Sequence, residues 1–222
     1  MTWTEHLIKF YKTLDPPRLP PGTEWLFPQQ EESVMKIVEQ FVNKYFNDEG
    51  KRRLILGINP GRFGAGVTGV NFTAPKQLKE ICGIDHSMKM HSELSAEFIY
   101  KMIDAYGGTK KFYRSYFIGS VCTLGLVKNG KNINYYDDKT LLKELEPFII
   151  KTIEQQLGFP VKTDVCFCIG GEKNYRYLSG LNEKHNWFQE IKPLPHPRFI
   201  MQYRRKKLEE YIQLYIDALK GV

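Results

Sequence analysis

The passage that most constrains this 222-residue chain is Leu54-Ile55-Leu56-Gly57-Ile58, followed at once by Asn59-Pro60-Gly61-Arg62-Phe63-Gly64-Ala65-Gly66. Five apolar residues without polar alternation read as a strand buried on both faces, the pattern of a parallel sheet. Pro60 fixes φ and removes a donor, which stops the strand. Gly57, Gly61, Gly64, Gly66 and Gly69 then keep the backbone thin enough for a ligand to approach main-chain N–H groups. A loop leaving the carboxyl end of such a strand is where open α/β sheets bind their ligands. By residue type the loop is either an anion cradle or a tightly packed turn. It is not a Walker loop, because the Gly-Lys-Ser/Thr ending is missing, and it is not G-x-G-x-x-G opening a helix.

The remaining elements follow from periodicity. Val34, Ile37, Val38, Phe41, Tyr45 and Phe46 place a helix over Glu31 to Phe46, and Leu94, Phe98, Ile99, Met102 and Ile103 place another from Ser92 to Tyr106. The stretch Phe112 to Leu124 holds a strand, Tyr116 to Cys122, and a basic turn follows at Val127 to Asn132. Asp137 or Asp138 caps a helix that Gly158 closes, with Pro147 kinking it or starting a new one. Val165 to Ile169 and Trp187 to Leu194 read as strands, Lys173 to Leu178 as part of a helix, and Tyr203 to Leu219 as the last helix. No element is assigned to residues 73–91.

Strands alternating with helices predict an α/β three-layer sandwich, a central, mainly parallel four-stranded sheet flanked by helices. Residues 1–222 are expected to form one domain. Residues 1–30 carry a short helical pattern (Trp3, Leu7, Phe10, Tyr11, Leu14) and then Pro16, Pro17, Pro20 and Pro21, which predicts a lead-in segment packed on the surface.

A net charge of +7 favours an anionic partner, nucleic acid first, or else solvated lysine faces. No apolar run approaches a membrane span and the start lacks a basic-then-apolar signal pattern, so an intracellular protein is expected, with no membrane partner. Cys82, Cys122, Cys166 and Cys168 lack C-x-x-C spacing and read as small buried thiols. His86 and His91 have no carboxylate or cysteine pattern around them and read as loop histidines. No metal site is expected.

The sequence Gly57-Ile58-Asn59-Pro60-Gly61-x-Phe63-Gly64, then Thr68-Gly69-Val70-x-Phe72, resembles the first motif of the uracil-DNA glycosylase superfamily. It is most similar to the single-strand-selective monofunctional members. That family's second motif begins His-Pro after its last core strand, and Pro195-His196-Pro197-Arg198 stands in that place. Outside the two motifs the likeness is weak. Some members of the superfamily bind an iron–sulfur cluster through four cysteines, but the cysteine spacing here does not match theirs.

The resemblance implies a monofunctional DNA glycosylase of base-excision repair that releases uracil or a related deaminated base without a cofactor. Its expected partner is DNA, single-stranded and also double-stranded, met by a monomer in the cytoplasm of a bacterium or the nucleus of a eukaryote. Asn59 would hold the attacking water and His196 would donate to O2 of the leaving base. Phe72 would stack on the base, the backbone at Ile58 would touch it, and Gly57, Gly61, Phe63 and Gly69 would shape the pocket. Without the resemblance, Asn59 reads as a turn residue before proline and His196 as a satisfied loop histidine.

Two departures from the family stand out. The asparagine that reads the base edge is replaced by Ser120, so the resemblance implies a looser pocket that also admits xanthine or hypoxanthine. The polar wedge of the second motif is replaced by Phe199-Ile200-Met201, which is either an apolar wedge or the first core turn of the last helix. Arg198, Arg204, Arg205, Lys128 and Lys131 are expected phosphate contacts, with Phe199 beside them. The alternatives are a non-catalytic nucleic-acid binder and a small-molecule enzyme that uses the glycine loop as an anion site.

Overall fold

Thr2 opens the chain's first helix, α1 (Trp3–Lys12), through a capping box in which its side chain and that of Glu5 each satisfy the other's backbone N–H. The computed structural model describes residues 1–91 and 93–222. After α1 come β1 (Thr23–Leu26), α2 (Glu32–Phe46), β2 (Arg53–Gly57), α3 (Ala65–Thr68), α4 (Pro75–Glu80), α5 (Leu94–Tyr106), α6 (Thr109–Ser115) and β3 (Tyr116–Ser120). Then follow β4 (Gly125–Lys128), β5 (Lys131–Ile133), α7 (Lys139–Leu157), β6 (Val165–Ile169), α8 (Gly171–His185), β7 (Glu190–Leu194), α9 (Pro197–Tyr203) and α10 (Leu208–Lys220).

The central sheet has four parallel strands in the order β3-β2-β6-β7, flanked by helices, as the apolar runs predicted. β2, β3 and β6 are buried along nearly their whole length, which is why their sequences show no alternation. From β2 the chain passes to β3 on one side and later to β6 on the other, so the strand order reverses at β2. In open α/β sheets the crevice at such a reversal, beyond the carboxyl ends, receives the ligand. The β2–β3 register pairs Gly57 with Ser120, which brings the end of the glycine strand beside that serine.

A second sheet lies outside the expectation: three antiparallel strands in the order β1-β4-β5. The basic turn is the tip of the β4–β5 hairpin, where Asn129 and Gly130 adopt φ of 50° and 72°, the geometry a two-residue hairpin requires. The last helix, expected from Tyr203, begins at Leu208 as α10; before it stand α9, to which no separate helix was assigned, and a short 3₁₀ turn over Arg205–Lys207 that redirects the chain. Pro147 starts no new element, since α7 runs through it. Ser92, the expected start of the helix seen as α5, lies outside the described residues; Glu93 caps that helix through Ala96 N.

The reading of residues 1–30 as a surface lead-in needs correction. Trp3 and Leu7 are fully buried, and the Trp3 ring packs within 5.4 Å of Phe117 and 5.5 Å of Phe159. Beneath Trp3 and Phe46 lies Arg52, itself without exposure. Its guanidinium is satisfied by both carboxylate oxygens of Asp48 and by the Tyr113 carbonyl. A buried charge is tolerated only when partnered in this way. The proline stretch misled the reading because it says nothing about the helix before it.

Candidate active site

The carboxyl ends of β2, β3, β6 and β7 open into a cleft of about 430 Å³. Ile58, Asn59 and Gly61 from the glycine loop line it, with Phe72, Ser120, His196 and Arg198. Two motifs far apart in sequence therefore meet across one cavity. A larger hollow of about 680 Å³ beside α4 and α5 is lined by Lys76, Glu80, Lys101 and Asp104 and contains no residue of either motif.

Asn59 leaves the end of β2 half-buried, and its carboxamide is fixed from the far side of the cleft. Its Oδ1 accepts from the Tyr135 backbone N–H at 3.2 Å, and its Nδ2 donates to the Ile133 carbonyl at 3.1 Å. A carboxamide bonded at both ends cannot flip, and it keeps one lone pair on Oδ1 for a further partner, while Nδ2 also reaches the Pro60 carbonyl at 3.5 Å. The Tyr135 hydroxyl in turn donates to Asn174 Oδ1 at 2.7 Å, and Asn174 Nδ2 reaches the Ile169 carbonyl at 3.0 Å. This buried chain ties the segment after β5 to the end of β6.

His196 caps α9, and its Nδ1 accepts from the Arg198 backbone N–H at 3.0 Å. In a neutral imidazole with Nδ1 as acceptor, the proton resides on Nε2, which makes that nitrogen a donor. The ring is neutral because burial pushes its pKa down to about 4, with Glu93 opposing the shift and Arg198 adding to it. The Tyr215 hydroxyl donates to the carbonyl of Pro195, the residue just before the histidine, and so anchors the turn.

Phe72 adopts φ of 51°, a left-handed conformation that bulky residues rarely occupy. The ring rests on the end of β2: a methyl group on Gly57 would lie 2.7 Å from Phe72 Cε2. Gly170 is equally constrained on the opposite wall, with φ of 145° and space for a side chain blocked by Ile58. Glycine is needed at both places for close approach.

Other expected site residues fall elsewhere. Gly69 is buried away from the cleft, capping α3 in a left-handed conformation and packing against Val38. Phe63 does not line the cleft; it is 48% exposed, with the Arg62 guanidinium 4.5 Å from its ring centre. Both were expected to shape the pocket because they belong to the same motif, but one serves the loop's packing and the other faces outward. Ile200 and Met201 are buried core, so the apolar turn of α9 presents only Phe199 outward, with Arg204 over its ring at 5.2 Å.

Among the basic residues, Arg198 is bound to Glu93 at 3.1 Å and Arg205 to Glu97 at 3.5 Å. Lys128 and Lys131 stand on the exposed hairpin, and no ion pair reaches them among the described residues. Sequence reasoning missed Asn71, Asn132 and Glu93, all on the cleft wall. Asn71 stands in the first motif at a position that the family pattern leaves open, and the hairpin signal Asn129-Gly130 would have drawn attention to Asn132.

The four cysteines are free and buried. Among the described residues, no group of three or more His, Cys, Asp or Glu is placed to hold a metal ion, and no helix is long and apolar enough to cross a membrane.

Residues 43–220 match the model of the uracil DNA glycosylase superfamily. The solved structure of wild-type SMUG2 from Pedobacter heparinus is similar over 100% of this chain and 98% of its own, with 46% identity and a TM-score of 0.96. No curated protein matches.

Proposed function

This chain belongs to the uracil DNA glycosylase superfamily, and from that membership we propose that it is a monofunctional DNA glycosylase acting on uracil or a related deaminated base, xanthine and hypoxanthine included. The observation that carries the reading is the meeting of Asn59 and His196 across one cleft, with the His196 Nδ1 accepting from the Arg198 backbone N–H.

Breaking an N-glycosidic bond requires charge management at two places. The C1′–N bond breaks with its electron pair leaving on the base, and in uracil that charge collects on O2. A fixed N–H donor at O2 is worth most when it is already oriented and dry. His196 Nε2–H supplies it, held by the bond at Nδ1 and kept neutral by burial. The sugar becomes cationic at C1′; a water adds there from the opposite side and gives its proton to solvent, from which the departed base anion takes one up. Asn59 offers that water the free lone pair of Oδ1. An amide is too weak a base to remove the proton early, so its contribution is position.

Phe72 provides the stacking face for a base turned out of the helix. No lysine lines the cleft among the described residues, which supports hydrolysis without strand cleavage, since a Schiff-base lyase needs an amine there. The product is an abasic site, which places the enzyme at the first step of base-excision repair, inside the cell. The exposed Lys128, Lys131, Arg204 and Phe199 are suited to a DNA backbone and its bases, single-stranded or paired, met by a monomer.

The test is single-turnover base release from oligonucleotides that each carry one uracil, xanthine or hypoxanthine, single-stranded and paired. Release of at least one of them as free base, leaving an uncut strand with an abasic site, is the expected result. Failure on every substrate, with tight salt-sensitive DNA binding retained, would favour a non-catalytic binder.

A further inference from the structure

Asn71 precedes Phe72 on the cleft wall, and Ser120 reaches it: Ser120 Oγ donates to Asn71 Oδ1 at 3.0 Å. A serine hydroxyl has one proton and two acceptor lone pairs. With the proton given to Asn71, Oγ faces the cleft as an acceptor. With Oδ1 occupied, Asn71 faces the cleft through its Nδ2 donors, which have no protein partner among the described residues. Two side chains from different elements thus present one acceptor beside one donor, the complement a single carboxamide would offer.

That complement fits one class of base edge. Uracil carries N3–H beside the O4 carbonyl, and hypoxanthine and xanthine carry N1–H beside O6. Cytosine and adenine present the reverse, a bare ring nitrogen beside an amino group. Against the pair, both of their contacts would oppose like with like and leave buried groups unpaired. We propose that Asn71 and Ser120 together form the base-edge reader, accepting bases that show N–H beside a carbonyl and rejecting cytosine and adenine. The proposal rests on the glycosylase reading. It also replaces the looser pocket expected from Ser120 alone, because the amide has been moved to Asn71 rather than lost.

The experiment compares uracil and cytosine release, single-turnover, from matched single-stranded oligonucleotides by the parent, Asn71→Asp and Ser120→Ala, with melting temperatures for each. Asn71→Asp keeps size and the acceptor for Ser120 but turns the donor into an acceptor. Its ratio of uracil to cytosine release is expected to fall roughly 10- to 100-fold, the effect of a lost partner at a buried polar group. Ser120→Ala removes the acceptor and frees the Asn71 amide to turn, so its ratio should fall as well. Parent ratios in both variants, even with lower absolute rates, would overturn the pair as the reader. A parent that releases none of uracil, xanthine and hypoxanthine would overturn the glycosylase reading and this inference with it.

Discussion

The Tyr135 backbone N–H donates to Asn59 Oδ1 at 3.2 Å, so the side chain proposed to hold the attacking water is positioned by a segment 76 residues further along the chain. Its Nδ2 is bonded to Ile133 O in the same segment. Asn59→Ala should lower single-turnover base release roughly 100-fold or more, as expected when a reacting group loses its positioner, while DNA affinity stays near the parent's. The lost partners of Tyr135 N and Ile133 O should also reduce stability by about 1–3 kcal/mol, readable in urea denaturation. Release at near-parent rates would remove Asn59 from the chemistry.

His196→Ala should slow the chemical step by roughly 10²–10³, the usual effect of deleting one donor to a developing oxyanion. If the deficit appeared only in DNA affinity, the donor role would be wrong.

The pH dependence follows from the same residue. Burial lowers the folded-state pKa of His196 to about 4 from an ordinary value near 6.5. Protonation would put a second N–H against the Arg198 N–H and turn the ring out of place. Base release should therefore hold steady as pH falls from 8 to 5 and decline only toward 4. As pH falls below 6.5 the unfolded chain takes up this proton before the folded one does. Stability from this group is then complete above 6.5 and is lost progressively down to about 4. Denaturation midpoints at pH 7 and 4.5 should show a smaller acid loss in His196→Ala than in the parent. A rate that titrates near 6.5 would contradict the neutral ring.

Gly57→Ala should damage catalysis through Phe72. The added methyl would sit 2.7 Å from the ring, which is already held at a rare backbone angle. Overpacking of this kind costs about 1–3 kcal/mol. Folding should survive with a lower melting temperature, and base release should fall more than DNA binding does. Parent activity in this variant would show that Phe72 has freedom to move and is not the stacking face.

Phe199→Ala should weaken DNA binding and leave the chemical step unchanged, because the ring is exposed and lies under Arg204 outside the cleft. Loss of one stacking side chain corresponds to about 1–3 kcal/mol. Titration of labelled single strands would measure it, and unaltered affinity would exclude Phe199 from the interface.

The parallel sheet was legible because β2, β3 and β6 are buried on both faces and carry uninterrupted apolar runs. His196 was expected in the cleft only through the resemblance carried by its His-Pro pair after a strand, and the fold brings it there. The β1-β4-β5 sheet was not, because its strands are three or four residues long and β1 pairs with a partner about a hundred positions away. The start of α10 was drawn too early, at Tyr203, because no proline or glycine marks the turn at Arg205–Lys207. Asn71 was passed over because its significance lies in the bond to Ser120, and only the parallel register of β2 and β3 brings that serine to the cleft.

The small sheet also decides where the working unit ends. Ile133, the last residue of β5, and Tyr135, just beyond it, hold Asn59; β5 pairs with β4, and β4 in turn is zipped to β1 from Thr23↔Lys128 to Leu26↔Gly125. β1 lies wholly before residue 43, where the match to the superfamily begins. A chain begun at that residue would retain every residue proposed for the chemistry yet leave β4 with a bare edge and the grip on Asn59 slack. The unit that must be inherited intact is longer than the span that the superfamily model matches.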